Sequence, residues 1–269
     1  MQMIIDSHVH IKIESGDTEG SEKAIGELLE CMERIGIDGV CIAPIVYNDG
    51  GDGYYPDKNS ILFSADFMTE MVKRHKNRFY PLVWINGNLD TQFLMDMTKK
   101  YILNGLIRGI KIENEINATD EKLEPFANFL EKNKVPMLFH SFYSNEGRRY
   151  YDSVPSDIAC LAQKHPELKI VMAHLNGCGF RGIQDIKRLP NVCIDTAGSG
   201  AEDGYLEYAL KELGPDRILY GSDYPGRDFA VQLARIDSVA LAPETRRKLL
   251  GENAVRIFGG DSTCIGLNN

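Results

Sequence analysis

The sequence predicts a (β/α)8 barrel, and three observations predict it. Eight short apolar runs of strand character alternate with segments of helical character along 269 residues. Several runs are apolar almost throughout, as in "GVCIA" and "IVMA", which is how parallel strands covered on both faces read. No G-x-G-x-x-G follows an early strand, and the glycines of "NDGGDGYY" have neither that spacing nor an immediate helix. The main rival, a doubly wound open sheet with a phosphate loop, is therefore disfavoured.

Each element has its own signal. The first strand is expected over residues 3–9 and leads into "DSHVH". A helix is expected over 21–35, where Ile25, Leu28, Leu29 and Met32 fall at helical spacing behind a Ser with Glu nearby. The second strand, 39–46, runs into a glycine-rich, tyrosine-containing stretch at 47–58, read as a long loop over the barrel mouth, and then into a helix over 59–76. Strands at 79–85, 106–112, 135–140, 169–174, 191–195 and 217–221 follow. Helices at 91–103, 120–133, 155–165, 182–189, 201–213 and 227–239 come between and after them. A last helical segment is expected over about 243–258, so one barrel domain accounts for 1–269 with no linker.

Composition narrows the function classes. The chain is 43% hydrophobic and 26% charged, an ordinary globular balance, and no apolar run approaches the roughly 18 residues that span a bilayer. The N-terminus lacks a basic segment followed by an apolar one, so no signal peptide is expected. A net charge of −9 argues against nucleic-acid or anionic-membrane partners and leaves a small molecule as the expected one, with a homo-oligomer left open. The cysteines (Cys31, Cys41, Cys160, Cys178, Cys193 and Cys264) show no C-x-x-C pairing. Reduced thiols in a cytoplasmic protein are the expectation.

The histidines carry the functional signal. In such barrels the active site sits at the carboxyl ends of the strands. His8 and His10 fall there on the first strand, and alternation places both on one face. His140 ends the fifth in "VPMLFHS", His174 the sixth in "KIVMAHLNG", and Asp223 follows the eighth in "ILYGSDYP". His75 and His165 lie near helix C-termini, where a histidine is a favourable cation or a surface residue. Taken singly, a strand-end histidine is more often hydrogen-bonded in a core, and Asp223 can cap the "SDYP" turn. Taken together, imidazole nitrogens and one carboxylate are the ligand set of catalytic zinc and its neighbours.

With "DSHVH", "GIKI", "LFHS", "AHLNG", "YGSDYP" and the ending "APETRRKLLGENAVRIFG" in this order, the chain resembles the amidohydrolase superfamily. Within it, the resemblance is to the branch of aminocarboxymuconate-semialdehyde decarboxylase and related aromatic-acid decarboxylases and hydrolases. The resemblance implies that His8, His10, His140 and Asp223 surround one divalent metal, most simply zinc, with His174 beside it. It implies that Asp223 takes the proton of a metal-bound water and passes it to the leaving group, while His174 polarises a carbonyl or holds the hydroxide. Lys111 stands where two-metal members carry a carbamylated lysine, so it is a candidate second-metal or substrate contact. Two residues on, where relatives often have histidine, this chain has Glu113.

Substrate contacts are read by neighbourhood. Arg148 and Arg149 follow the fifth strand and Arg181 the sixth; arginine forks suit a carboxylate, so an anionic substrate is one expectation. The alternative pairs them with Glu146, Asp152 or Asp185. Trp84 and Tyr54 are candidates for an aromatic wall, against packing as the plainer role for Trp84. The leading expectation is a metal-dependent hydrolase of an amide, lactone or similar carbonyl bond. The alternative is a non-oxidative decarboxylase of an unsaturated or aromatic acid, and a non-catalytic binding protein comes last.

Overall fold

Strand follows helix around a nearly closed ring. The computed structural model describes residues 2–47, 55–143, 152–200 and 202–259. The strands are β1 (Ile5–Val9), β2 (Lys12–Glu14), β3 (Gly39–Ile42), β4 (Ile45–Tyr47), β5 (Phe79–Trp84), β6 (Gly109–Ile112), β7 (Met137–Phe139), β8 (Ile170–Met172), β9 (Val192–Asp195) and β10 (Ile218–Leu219). The helices are α1 (Thr18–Ile35), α2 (Lys58–Arg74), α3 (Thr91–Thr98), α4 (Glu124–Lys132), α5 (Pro155–Lys164), α6 (Leu175–Ile186), α7 (Tyr205–Leu213), α8 (Phe229–Asp237), α9 (Pro243–Arg247) and α10 (Asn253–Phe258). Eight strands form one sheet in the order β1-β3-β5-β6-β7-β8-β9-β10, with every pairing parallel. This is the expected (β/α)8 barrel.

The ring closes at its carboxyl end. Ser7 N–H donates to Tyr220 O at 2.8 Å, Asp223 N–H to His8 O at 2.8 Å, and His10 N–H to Tyr224 O at 2.7 Å. The seam between β1 and the segment after β10 thus runs through His8, His10 and Asp223. Period-two alternation sorts the strand residues. Ile5, Cys41, Leu82, Leu138, Val171, Cys193 and Leu219 form an inner cluster with Ala254 and Phe258 of α10. Their neighbours Val40, Val83, Ile110, Ile170 and Ile194 join the larger core that packs the helices. Two residues along from the inner cluster lie Trp84, His140 and Asp195, so the alternation that fills the barrel floor also aims these mouth residues. His8 lies three residues past Ile5, across a register shift between Asp6 and Val9 in the β1–β3 pairing.

Several boundaries depart from expectation. The second strand, expected over 39–46, divides into β3 and β4, because Ile45 to Tyr47 leave the barrel to pair with β2. Helix α1 starts at Thr18, where Asp17 accepts from Gly20 N; the Ser inside it is not the cap. Helix α6 begins directly after His174, well before 182, and kinks at Gly179, whose φ of 60° breaks the helical run. Arg181 is therefore helical, not in a loop. His165 is not a surface residue: it is 1% exposed, lying 3.3 Å from Glu131 and 3.5 Å from Glu124. Residues 48–54 of the expected mouth loop, with Tyr54, lie outside the described residues, as do Arg148, Arg149 and Cys264. Among the described residues the cysteines are free, and no helix is long and apolar enough to cross a membrane.

Asn253 ties the C-terminal segment to the barrel floor. Its buried amide donates to Pro215 O and Ile218 O, both at 2.8 Å, fixing the start of β10. Replacing Asn253 with Ala removes the donor to the buried Ile218 carbonyl and to the partly buried Pro215 carbonyl, so unfolding free energy in urea is expected to fall by about 1–3 kcal/mol. An unchanged denaturation midpoint would refute that role.

Candidate metal centre

The centre is built on the closure seam. The Nδ1–H of His8 donates to Asp195 Oδ2 at 2.8 Å, and that of His10 to Ala43 O at 2.7 Å. Each contact commits Nδ1 as the donor, because a lone pair there would face an oxygen. Both Nε2 atoms then carry lone pairs, yet they lie 3.1 Å apart. Two lone pairs so placed repel unless a cation or proton lies between them. A proton is disfavoured: burial, with Lys111 nearby, pushes the pKa of His8 well below its usual value and that of His10 down to about 4. Asp223 completes the group, with Oδ1 at 3.7 Å from His8 Nε2 and 3.8 Å from His10 Nε2. His8, His10 and Asp223 offer ligand atoms all within 4.8 Å of one another. The donor set fits a divalent cation.

His174 and His140 stand beside this trio. The ring of His174 stacks on that of His8, centroids 5.0 Å apart, and His140 meets His174 edge-on at 4.7 Å. Both ring nitrogens of His174 are buried without a hydrogen-bond partner, and Nε2 lies 3.8 Å from Asp223 Oδ2. Burial, then the neighbouring His140 and His8, hold its pKa well below the usual value, so the ring is neutral. Asp223 thus faces the two seam histidines with one oxygen and His174 with the other. Its side chain is 23% exposed, and burial, reinforced by Glu113, raises its pKa to about 6.

The backbone is bent to make this possible. His174 and Asp223 both have left-handed φ values, 75° and 65°. Such conformations are unfavourable for residues other than glycine and cluster at functional sites. Asp195 holds one of them: its Oδ1 accepts from His174 N at 2.8 Å and Ala197 N at 3.0 Å, while its Oδ2 holds His8. The other, Asp223, donates its N–H to His8 O at 2.8 Å, and Asp6 secures the residues around it by accepting from His8 N at 2.9 Å and Ser222 N at 3.0 Å. Gly221 leaves room for both, since a Cβ there would come within 3.1 Å of His8 Cβ and 3.0 Å of Asp195 Cβ. Sequence reasoning passed over Asp195, although an acidic residue ending the apolar run "VCID" is the signal that marked the histidines.

A second polar cluster rises from β6. Lys111, Glu113 and Glu115 alternate, and all three are buried. Lys111 Nζ lies 2.5 Å from Glu113 Oε2, and His140 Nδ1 lies 2.7 Å from Glu113 Oε1. Burial alone would raise the Glu113 carboxyl, but His140 and Lys111 beside it carry its pKa well below the usual range. Glu115 accepts from the Trp84 indole N–H and, at 2.8 Å, from Glu113 N. Trp84 is only 3% exposed, and its ring lies 5.3 Å from that of His10. Arg181 sits over the Tyr143 ring at 5.0 Å, and the Tyr143 hydroxyl donates to Asp185 at 2.9 Å.

A parallel barrel with a metal-ready histidine–carboxylate group at its mouth defines a class of metal-dependent enzyme. The chain belongs to the amidohydrolase family, whose model matches residues 5–260. It is accordingly an enzyme of the hydrolase-or-decarboxylase kind that the superfamily contains. Solved structures share its fold at low identity. The 5-carboxyvanillate decarboxylase of Sphingomonas paucimobilis superposes with a TM-score of 0.75 at 16% identity, over 96% of this chain and 99% of that one. A 2,6-dihydroxybenzoate decarboxylase from Rhizobium gives 0.72 at 18%, over 96% and 99%. A dihydroxybenzoic acid decarboxylase from Polaromonas sp., with bound manganese and the inhibitor 2-nitroresorcinol, gives 0.73 at 16%, over 96% and 97%.

Replacing His8 or His10 with Ala is expected to abolish retention of stoichiometric metal while circular dichroism stays that of the wild type. Replacing Asp195 with Asn keeps both histidines but loosens the His8 ring, and should weaken metal affinity by about 10–100-fold in a chelator competition. Wild-type affinity in the Asp195→Asn protein would exclude the orienting role.

Proposed function

We propose that the protein is a divalent-metal-dependent hydrolase that adds water across an amide, lactone or related carbonyl bond. The observation that carries the reading is the pair of Nε2 lone pairs, 3.1 Å apart with Asp223 alongside. One zinc ion fits two imidazoles and a carboxylate, with His140 as the fourth candidate ligand. A divalent ion held there polarises substrate oxygens and lowers the pKa of water from about 15.7 to near 7.

The chain's own groups supply the rest. Hydrolysis needs two proton transfers, one from the entering water and one to the leaving group. Asp223 is placed for both, because one oxygen faces the seam histidines and the other faces His174 Nε2. It takes the water's proton, and it or His174 returns it to the departing atom. His174, neutral and with both nitrogens unpaired, is free to donate to a substrate oxygen or accept from an N–H. Trp84, held by Glu115, walls the site beside His10.

A second reading is non-oxidative decarboxylation of an unsaturated or aromatic acid. The solved neighbours favour it, since those reported above are decarboxylases of such acids. There Asp223 or His174 would deliver one proton to the carbon that loses carbon dioxide.

The test is a product assay on metal-loaded protein with lactones, amides and aromatic carboxylic acids. Hydrolysis yields a new carboxylate without carbon dioxide; release of carbon dioxide from an acid substrate selects the second reading. Replacing Asp223 with Asn is expected to lower turnover by about 10²–10⁴-fold. Turnover within threefold of wild type would remove Asp223 from the proton-transfer role.

A further inference from the structure

We propose that Glu113 is a positioning residue of the metal centre: its buried carboxylate holds His140 at the mouth beside the seam histidines. The inference rests on the metal-dependent reading above and deepens it.

Three observations support it. Glu113 Oε1 lies 2.7 Å from His140 Nδ1, a buried ion-pair contact that is not aligned as a hydrogen bond. Second, Glu113 is itself held. Its backbone N–H donates to Glu115 Oε2 at 2.8 Å, and its second oxygen lies 2.5 Å from the fully buried Lys111. Third, the two strands deliver partners side by side. His140 N–H donates to Ile112 O at 2.9 Å, setting His140 next to Glu113 in the β6–β7 ladder. A carboxylate thus stands behind His140 as Asp195 stands behind His8, though only the latter contact is a hydrogen bond. Carboxylates behind metal-binding histidines raise ligand basicity and fix ring orientation.

Lys111 follows from this. A carboxylate buried among histidines needs a counter-charge that does not compete for the metal, and an ammonium supplies one. The pair separates two explanations that a single variant would confuse: loss of His140's partner, and exposure of an unbalanced lysine charge.

The experiment measures zinc and manganese affinity by chelator competition for the wild type, Glu113→Gln, and the charge-balanced double variant Lys111→Gln/Glu113→Gln. Glu113→Gln and the double variant are both expected to bind metal about 10–100-fold more weakly. Glu113→Asp, which keeps the charge, should recover part of the affinity. Affinity in Glu113→Gln within threefold of wild type, full recovery in the double variant, or no recovery in Glu113→Asp would each overturn the proposal. These three outcomes leave the metal reading standing; a wild type that holds no stoichiometric metal would overturn both.

Discussion

Two neutral imidazoles facing each other with their lone pairs is the constraint from which this site is built. In isolation the arrangement is unfavourable, and the chain enforces it by anchoring both rings from behind, His8 on Asp195 and His10 on the carbonyl of Ala43. Neither ring can turn away without abandoning a buried acceptor, and a buried acceptor left alone costs about 1–3 kcal/mol. Protonation, the other escape, is opposed by burial and by Lys111. A cation shared between the two nitrogens and Asp223 would resolve it. Strain held at the mouth would then be converted into affinity, as preorganised metal sites require.

The barrel's closure is what makes such enforcement affordable. Where β1 meets the segment after β10, the hydrogen bonds that seal the ring are those of Ser7, His8, His10 and Asp223. The candidate ligands therefore sit on a seam and not on free loops, and the left-handed backbone at Asp223 is locked by its N–H to His8 O. The left-handed His174 is locked by Asp195. Moving any one of these residues opens the ring or releases a buried carboxylate. Rigidity of the fold and geometry of the site are one property.

Much of this was legible beforehand. Several strands are apolar runs ended by a polar residue, and the carboxyl ends of barrel strands are where active-site residues sit. His8, His10, His140, His174 and Asp223 could be found because their side chains are rare in apolar strands. The same logic reaches Asp195, which was overlooked because one acidic residue ending a run also reads as turn chemistry. Partnership was not legible: nothing local shows that Glu113 will meet His140, 27 positions away, or that Lys111 will be neutralised by its neighbour. Nor was β2, three residues long and stabilised only by a strand that the sequence merges with β3. His165 misled because a helix C-terminus explains an exposed histidine as well as a buried one.

The two carboxylate–imidazole contacts differ in how the carboxylate charge is met. Asp195 is 0% exposed and spends its other oxygen on backbone N–H groups, so its charge is absorbed by the scaffold. Glu113 spends its other oxygen on Lys111. One contact is thus tied to backbone N–H groups, the other to a side-chain ion pair. Asp195 needs no counter-ion because those N–H groups absorb its charge, whereas Glu113 faces a side-chain cation in their place. That difference is a physical reason for a buried ammonium, costly to desolvate, where an apolar residue would pack more simply.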